Sequence, residues 1–141
     1  GVCTDEVIRS YRAVGADLQQ LVHEDMKKAF DVYPKLWGLT APDSNIDHRR
    51  VPNLQVFLAR KGAELPLTKN PGDYKPGDLV TSKTMAGRPH IAIVVPSPNS
   101  GGTPWIMHNY GFGPKMEDEL FSWNLTGHYR WHPESKPASS P

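Results

Sequence analysis

One cysteine occurs in 141 residues, which excludes an intrachain disulfide and a thiolate-rich zinc centre. That count fits a reducing or an oxidising compartment equally and selects neither. No apolar run approaches the ~20 residues that a membrane-spanning helix needs. Neither sign of charge dominates: 16 Lys and Arg against 15 Asp and Glu leave a net charge of +1. The basic residues are interleaved with acids, so the electrostatic footprint of a nucleic-acid-binding protein is missing. No internal repeat occurs, and the sequence opens Gly1-Val2-Cys3 with neither an initiator methionine nor a signal peptide. What is present is ordinary globular material, with 38% hydrophobic and 9% aromatic residues, enough for one domain around one core.

The pattern along the chain predicts an α+β domain over residues 1–133 and a Pro/Ser-rich, disordered tail over 134–141. Val7, Ile8, Tyr11 and Val14 recur at helical spacing, with Asp5 and Glu6 in the first turn and Gly15 as a stop. A second helix follows Asp17, an N-cap residue, with Leu18, Leu21, Val22, Met26 and Phe30 as its apolar stripe. Residues 33–51 read as a long loop. Pro52 then suits a first helical turn, with Leu54, Phe57 and Leu58 facing inward and Gly62 beyond the end. After Gly62 the period changes to that of strands. Strands are expected at 79–81, at 90–95, at 105–108, at 119–123 and at 129–131, the last two joined near Thr126-Gly127.

Cys3 stands at the start of the first predicted helix, where unpaired N–H groups and the positive dipole end favour a thiolate and an oxyanion. A free cysteine is also at home as a small buried hydrophobe. A base has to come from elsewhere in the sequence. Of six histidines, His90 and His108 belong to the strongest predicted strands. If these strands pair as a hairpin with Ile93 opposite Trp105, His90 lies directly opposite His108 and one imidazole orients the other. Two histidines satisfied at a sheet edge are the plainer alternative. His48, in the run Asp47-His48-Arg49-Arg50, belongs to a charged loop, and Arg49 and Arg50 are suited to grip a carboxylate bidentately.

The order of these elements resembles a known group. Cys3 at a helix start, the strand opening Pro76-Gly77-Asp78-Leu79-Val80, the strand His90-Ile91-Ala92-Ile93-Val94 and an apolar strand ending in His108 are similar to the NlpC-type, papain-like cell-wall cysteine peptidases. Longer runs resemble most closely the bacterial domain-of-unknown-function family 1287: Gly1-Val2-Cys3-Thr4-Asp5, Leu21-Val22-His23-Glu24-Asp25-Met26, Asp47-His48-Arg49-Arg50-Val51-Pro52-Asn53 and Thr126-Gly127-His128-Tyr129-Arg130. The resemblance implies helices on an antiparallel sheet, Cys3 as nucleophile, His90 as general base and His108 as the residue that orients it. Asn109 takes that last role if the register differs, and otherwise stands with Arg49 and Arg50 as a substrate contact. It further implies hydrolysis of amide bonds in peptidoglycan stem peptides without a cofactor or metal, in the periplasm or outside the cell. If the chain is a toxin, it calls for an inhibitor or immunity protein in its producer. The family's usual Asp-Cys-Ser start reads Val2-Cys3-Thr4 here.

Three other readings compete. A papain-like thiol acyltransferase or lipid hydrolase needs a long apolar groove, and the sequence has no uninterrupted segment to build one. A zinc site at His128 and His132 fails on spacing, because four residues of strand separate side chains by ~13 Å. A non-catalytic module that binds wall fragments or a partner has stacking surfaces available in Trp37, Trp105, Trp123 and Trp131, although large aromatics more often fill cores.

Overall fold

The computed structural model describes residues 3–33, 50–84, 87–97, 103–109, 114–122 and 124–132. His48, Arg49, Trp37, Trp123, Ala86, most of the 33–51 loop and the 134–141 tail lie outside them. The architecture is α+β: three helices precede and cover a six-stranded antiparallel sheet.

The helices form where the apolar spacing requires. Helix α1 (Cys3–Ala13) buries Val7, Ile8 and Tyr11, and helix α2 (Leu18–Lys28) buries Leu18, Val22 and Met26. The Asp17 side chain caps α2 by accepting from the Gln20 N–H at 3.3 Å. Val14, expected in the α1 stripe, is 70% exposed, because the helix stops at Ala13 and Gly15 turns the chain at φ 89°. Phe30 leaves the α2 stripe for a short 3₁₀ turn, Phe30–Val32. Helix α3 (Val51–Arg60) carries Pro52 in its first turn and buries Leu54, Phe57 and Leu58. Arg60 grips both oxygens of Asp25 at 2.6 and 3.1 Å, tying α3 to α2.

The strands are β1 (Glu64–Leu65), β2 (Leu79–Lys83), β3 (Pro89–Val95), β4 (Trp105–Asn109), β5 (Pro114–Glu117) and β6 (Asn124–Tyr129), in the sheet order β1-β6-β2-β3-β4-β5. Leu79, Ile91, Ile93 and Tyr129 join the helices in the main core. Val80, Ala92, Val94 and Ile106 point to the other face, where Tyr74 and Leu120 cover them.

Two strand expectations are corrected. Residues 119–122 form a turn and not a strand, since only Leu120 of that stretch is buried, and strands flank it on both sides. Thr126-Gly127 is not a joint between strands but part of β6, at a bulge opposite Thr81 and Ser82. A Cβ on Gly127 would run into the Tyr129 side chain and lie 2.6 Å from the Thr81 hydroxyl, so a larger residue there requires those side chains to shift.

Two of the sequence runs meet at the sheet's centre. Asp78, closing the Lys75-Pro76-Gly77 turn, accepts from the Lys75 N–H at 3.0 Å, from His128 Nε2 at 2.6 Å and from Arg130 at 2.8 and 2.9 Å. Burial alone pushes the Asp78 carboxyl up, but Arg130, the Lys75 N–H and His128 together outweigh it and hold it below the usual carboxylate range. Tyr74 stacks on the His128 ring at 4.2 Å. The PGD and GHYR runs therefore latch the start of β2 to the end of β6.

Candidate active site

Cys3 opens α1, half-buried, and its side chain packs toward the main core. Burial pushes its thiol up from 9.0, against the opposing pull of the backbone N–H groups of Ile91, Cys3 and Thr4, which face the sulfur; Asp5 adds to the rise. The Ile91 N–H is available for a structural reason. Val94 exchanges hydrogen bonds with the β2 side of the sheet, through the Asp78 carbonyl and the Gly77 N–H. Odd-numbered residues of β3 therefore direct their N–H groups toward β4. Pairing with β4 covers only Ile93, Val94 and Val95, while pairing with β2 continues to Pro89. The two strands part before Ile91, one residue along the chain from His90, which leaves the Ile91 N–H to act on the Cys3 thiol.

His90 and His108 are both buried, and His90 Nε2 is 3.0 Å from His108 Nδ1. Their register differs from the expected one. Ile93 faces Met107 and Trp105 faces Val95, so the histidines are diagonal neighbours on one face and not directly opposed. A slip of two residues preserves the face, whereas a slip of one reverses it, so alternation of apolar residues cannot distinguish the two even registers. Burial draws the His90 imidazole down to about 4, and the adjacent His108 adds to the effect.

A fourth residue joins this line. His108 Nε2 is 2.7 Å from Glu117 Oε1 on β5, and Glu119 Oε2 is 3.9 Å from the same nitrogen. Glu117 faces Ile106 across the β4–β5 pair, one diagonal from His108. Donor atoms of His108, Glu117 and Glu119 fall within 4.8 Å of one another, the spacing of a cation site among the described residues. The imidazole nitrogen in that group is already hydrogen-bonded to Glu117.

Residues 1–131 match the family described as Domain of unknown function (DUF1287). The chain belongs to the DUF1287 family. The Uncharacterized protein YijF of Escherichia coli (strain K12) is 50% identical over 131 residues, which are 93% of this chain and 64% of YijF. The chain thus spans somewhat less than two thirds of that relative's length. No solved structure matches it.

Of the remaining expected contacts in this DUF1287 chain, Arg50 and Asn109 lie among the described residues. Arg50 is the residue before α3, partly exposed, and Arg49 lies outside the described residues. Asn109 ends β4, its backbone paired with Pro114. An open groove lined by Leu67, Thr68, Lys69, Phe121, Asn124 and Leu125 shares no residue with the site. Glu117 escaped sequence reasoning because β5, Pro114–Glu117, has three exposed residues of four and no alternation to read. The only available signal was position: an acidic cluster, Glu117-Asp118-Glu119, soon after the strand that ends near His108.

Proposed function

We propose that this DUF1287 chain is a papain-like, NlpC-type cysteine hydrolase that cuts amide bonds in peptidoglycan stem peptides. The observation that supports the reading is the action of the Ile91 backbone N–H on the Cys3 thiol, one residue along β3 from a buried His90 that is hydrogen-bonded to His108. Thiol-based acyl transfer needs a thiol, an imidazole that reaches it and a second group that orients the imidazole, and the reading assigns these roles to Cys3, His90 and His108.

In this mechanism the resting pair is neutral, since burial raises the thiol and lowers His90. His90 takes the thiol proton as sulfur attacks the scissile carbonyl. The N–H groups of Cys3 and Thr4 at the α1 terminus receive the developing oxyanion. The imidazolium then passes its proton to the leaving amine, and water, deprotonated by His90, releases the acyl group from the thioester. Arg49 and Arg50 are the side chains proposed to meet a stem-peptide carboxylate. The substrate class rests on the resemblance of the Cys3, Pro76–Val80 and His90–Val94 runs to cell-wall peptidases, and it sets the site of action in the periplasm or outside the cell.

The test is incubation with purified peptidoglycan, followed by mass analysis of the soluble fragments. The reading expects shortened stems with new amino termini, formed by the wild type and not by a folded Cys3→Ala variant. A wall left intact by the wild type, or cut equally by Cys3→Ala, would overturn it.

A further inference from the structure

We propose that Glu117 is a positioning residue that sets the proton arrangement of the whole Cys–His line, acting on His90 through His108. The inference rests on the hydrolase reading for its consequence, but its geometry is independent of any substrate. A carboxylate offers only lone pairs, so the 2.7 Å contact with Glu117 requires the proton of neutral His108 to be on Nε2. Nδ1 of His108 is then an acceptor. The 3.0 Å contact from His90 Nε2 to that atom requires Nε2 of His90 to carry its hydrogen. A neutral imidazole has one N–H, which leaves a lone pair on Nδ1 of His90, the atom to which the hydrolase reading assigns the thiol proton.

Without Glu117 the constraint that holds the His108 proton on Nε2 is lifted, and the opposite arrangement becomes accessible. His108 then carries its hydrogen on Nδ1 and donates to His90 Nε2, and His90 carries its own on Nδ1, where it has nothing with which to accept a proton. Among the described residues, the groups that face His108 include His90 from β3, Lys115 from the opposed position of β5, Glu117, and Glu119 at 3.9 Å. Only Glu117 is at hydrogen-bond distance from Nε2 among these carboxylates. Once His90 is protonated in the reaction, Nε2 still donates to His108, and the Glu117 charge stabilises the imidazolium through it.

The experiment reads tautomers directly, by imidazole ¹⁵N chemical shifts at pH 7 in the presence of EDTA, for the wild type and for Glu117→Ala. The Glu117 side chain is 36% exposed, so the variant is expected to fold, which its thermal transition checks. The wild type is expected to show Nε2–H on both His90 and His108, and Glu117→Ala a mixture or the reverse. A base in the wrong tautomer costs on the order of 10⁴ in kcat. Partial loss of control one imidazole away is expected to lower kcat about 10- to 100-fold, with KM little changed. Nδ1–H on His90 in the wild type, or unaltered tautomers in Glu117→Ala, would overturn the proposal, as would loss of the arrangement on adding EDTA. Tautomers as stated, shifted in the variant, but with no amide hydrolysis by the wild type would refute the hydrolase reading and uphold the proton arrangement.

Discussion

Alkylation of Cys3 by iodoacetamide distinguishes a neutral thiol–imidazole pair from a thiolate–imidazolium pair. Burial raises the thiol from 9.0 and lowers His90 to about 4, so at pH 7 both groups are neutral. A thiol above that starting value holds less than about 1% thiolate at pH 7. Alkylation follows the thiolate, so its rate is expected to climb about tenfold per pH unit, or about a thousandfold from pH 6 to pH 9. The chain has a single cysteine, so intact mass counts modification of Cys3 alone. Pseudo-first-order rates at half-unit pH steps give the slope. His90→Ala is expected to keep that slope, because the imidazole carries no charge over this range. A flat profile between pH 5 and 8 in the wild type, lost in His90→Ala, would refute the reasoning by showing a preformed ion pair.

Other measurements probe the remaining links. Hydrolysis by the wild type is expected to persist well below pH 6 and to fall as pH drops through about 4, where His90 gains its proton; an acid limb near 6.5 would contradict the burial argument. Asp78→Ala leaves the His128 Nε2–H, the Lys75 N–H and Arg130 without their acceptor. Breaking a buried pair costs about 3–5 kcal/mol, and because the Arg130 side chain is 36% exposed the lower end applies, read by urea denaturation. A loss under 1 kcal/mol, within the range of an ordinary exposed pair, would mean that Asp78 is no latch. Because the folded-state value of Asp78 is depressed, its contribution is present above the usual 3.8 and is lost as pH falls through the lower folded value. Asp78→Asn is therefore expected to flatten the acid end of the stability–pH curve. Gly127→Ala forces a Cβ against Thr81 and should cost about 1–3 kcal/mol; a wild-type thermal midpoint would show that β6 gives way easily.

The helices were the most legible part of the sequence. Asp17, Pro52, Gly15 and Gly62 mark ends through local chemistry, and the apolar spacing of Leu18, Val22 and Met26 names its own buried face. The central strands were legible too, since 91–94 is a continuous apolar run buried on both faces. The sheet's margins were not. β1 has two residues, β5 is mostly exposed and β6 is buried only over its last three residues, so none carries the alternation that betrays a half-buried strand.

The site shows the same division. That His90 and His108 share a face followed from parity, which survives a two-residue error in register. The contact of the sulfur with the Ile91 N–H depends on where β3 and β4 part, and the contact of Glu117 with His108 depends on a strand that sequence reasoning missed. Both are long-range consequences of pairing, with no local signature. The Asp78–His128–Arg130 latch is similar: both of its runs stood out in the sequence, but their meeting across 50 residues did not.

Capture of the acyl-enzyme tests the central claim most directly. A soluble stem peptide is mixed with the wild type, quenched in acid within the first turnovers, and the intact protein is weighed and then mapped by proteolysis. The account predicts a mass increment equal to the acyl half of the peptide, carried on Cys3 as a hydroxylamine-labile thioester and absent from Cys3→Ala. Amide cleavage without an adduct, continuing undiminished in Cys3→Ala, would contradict it.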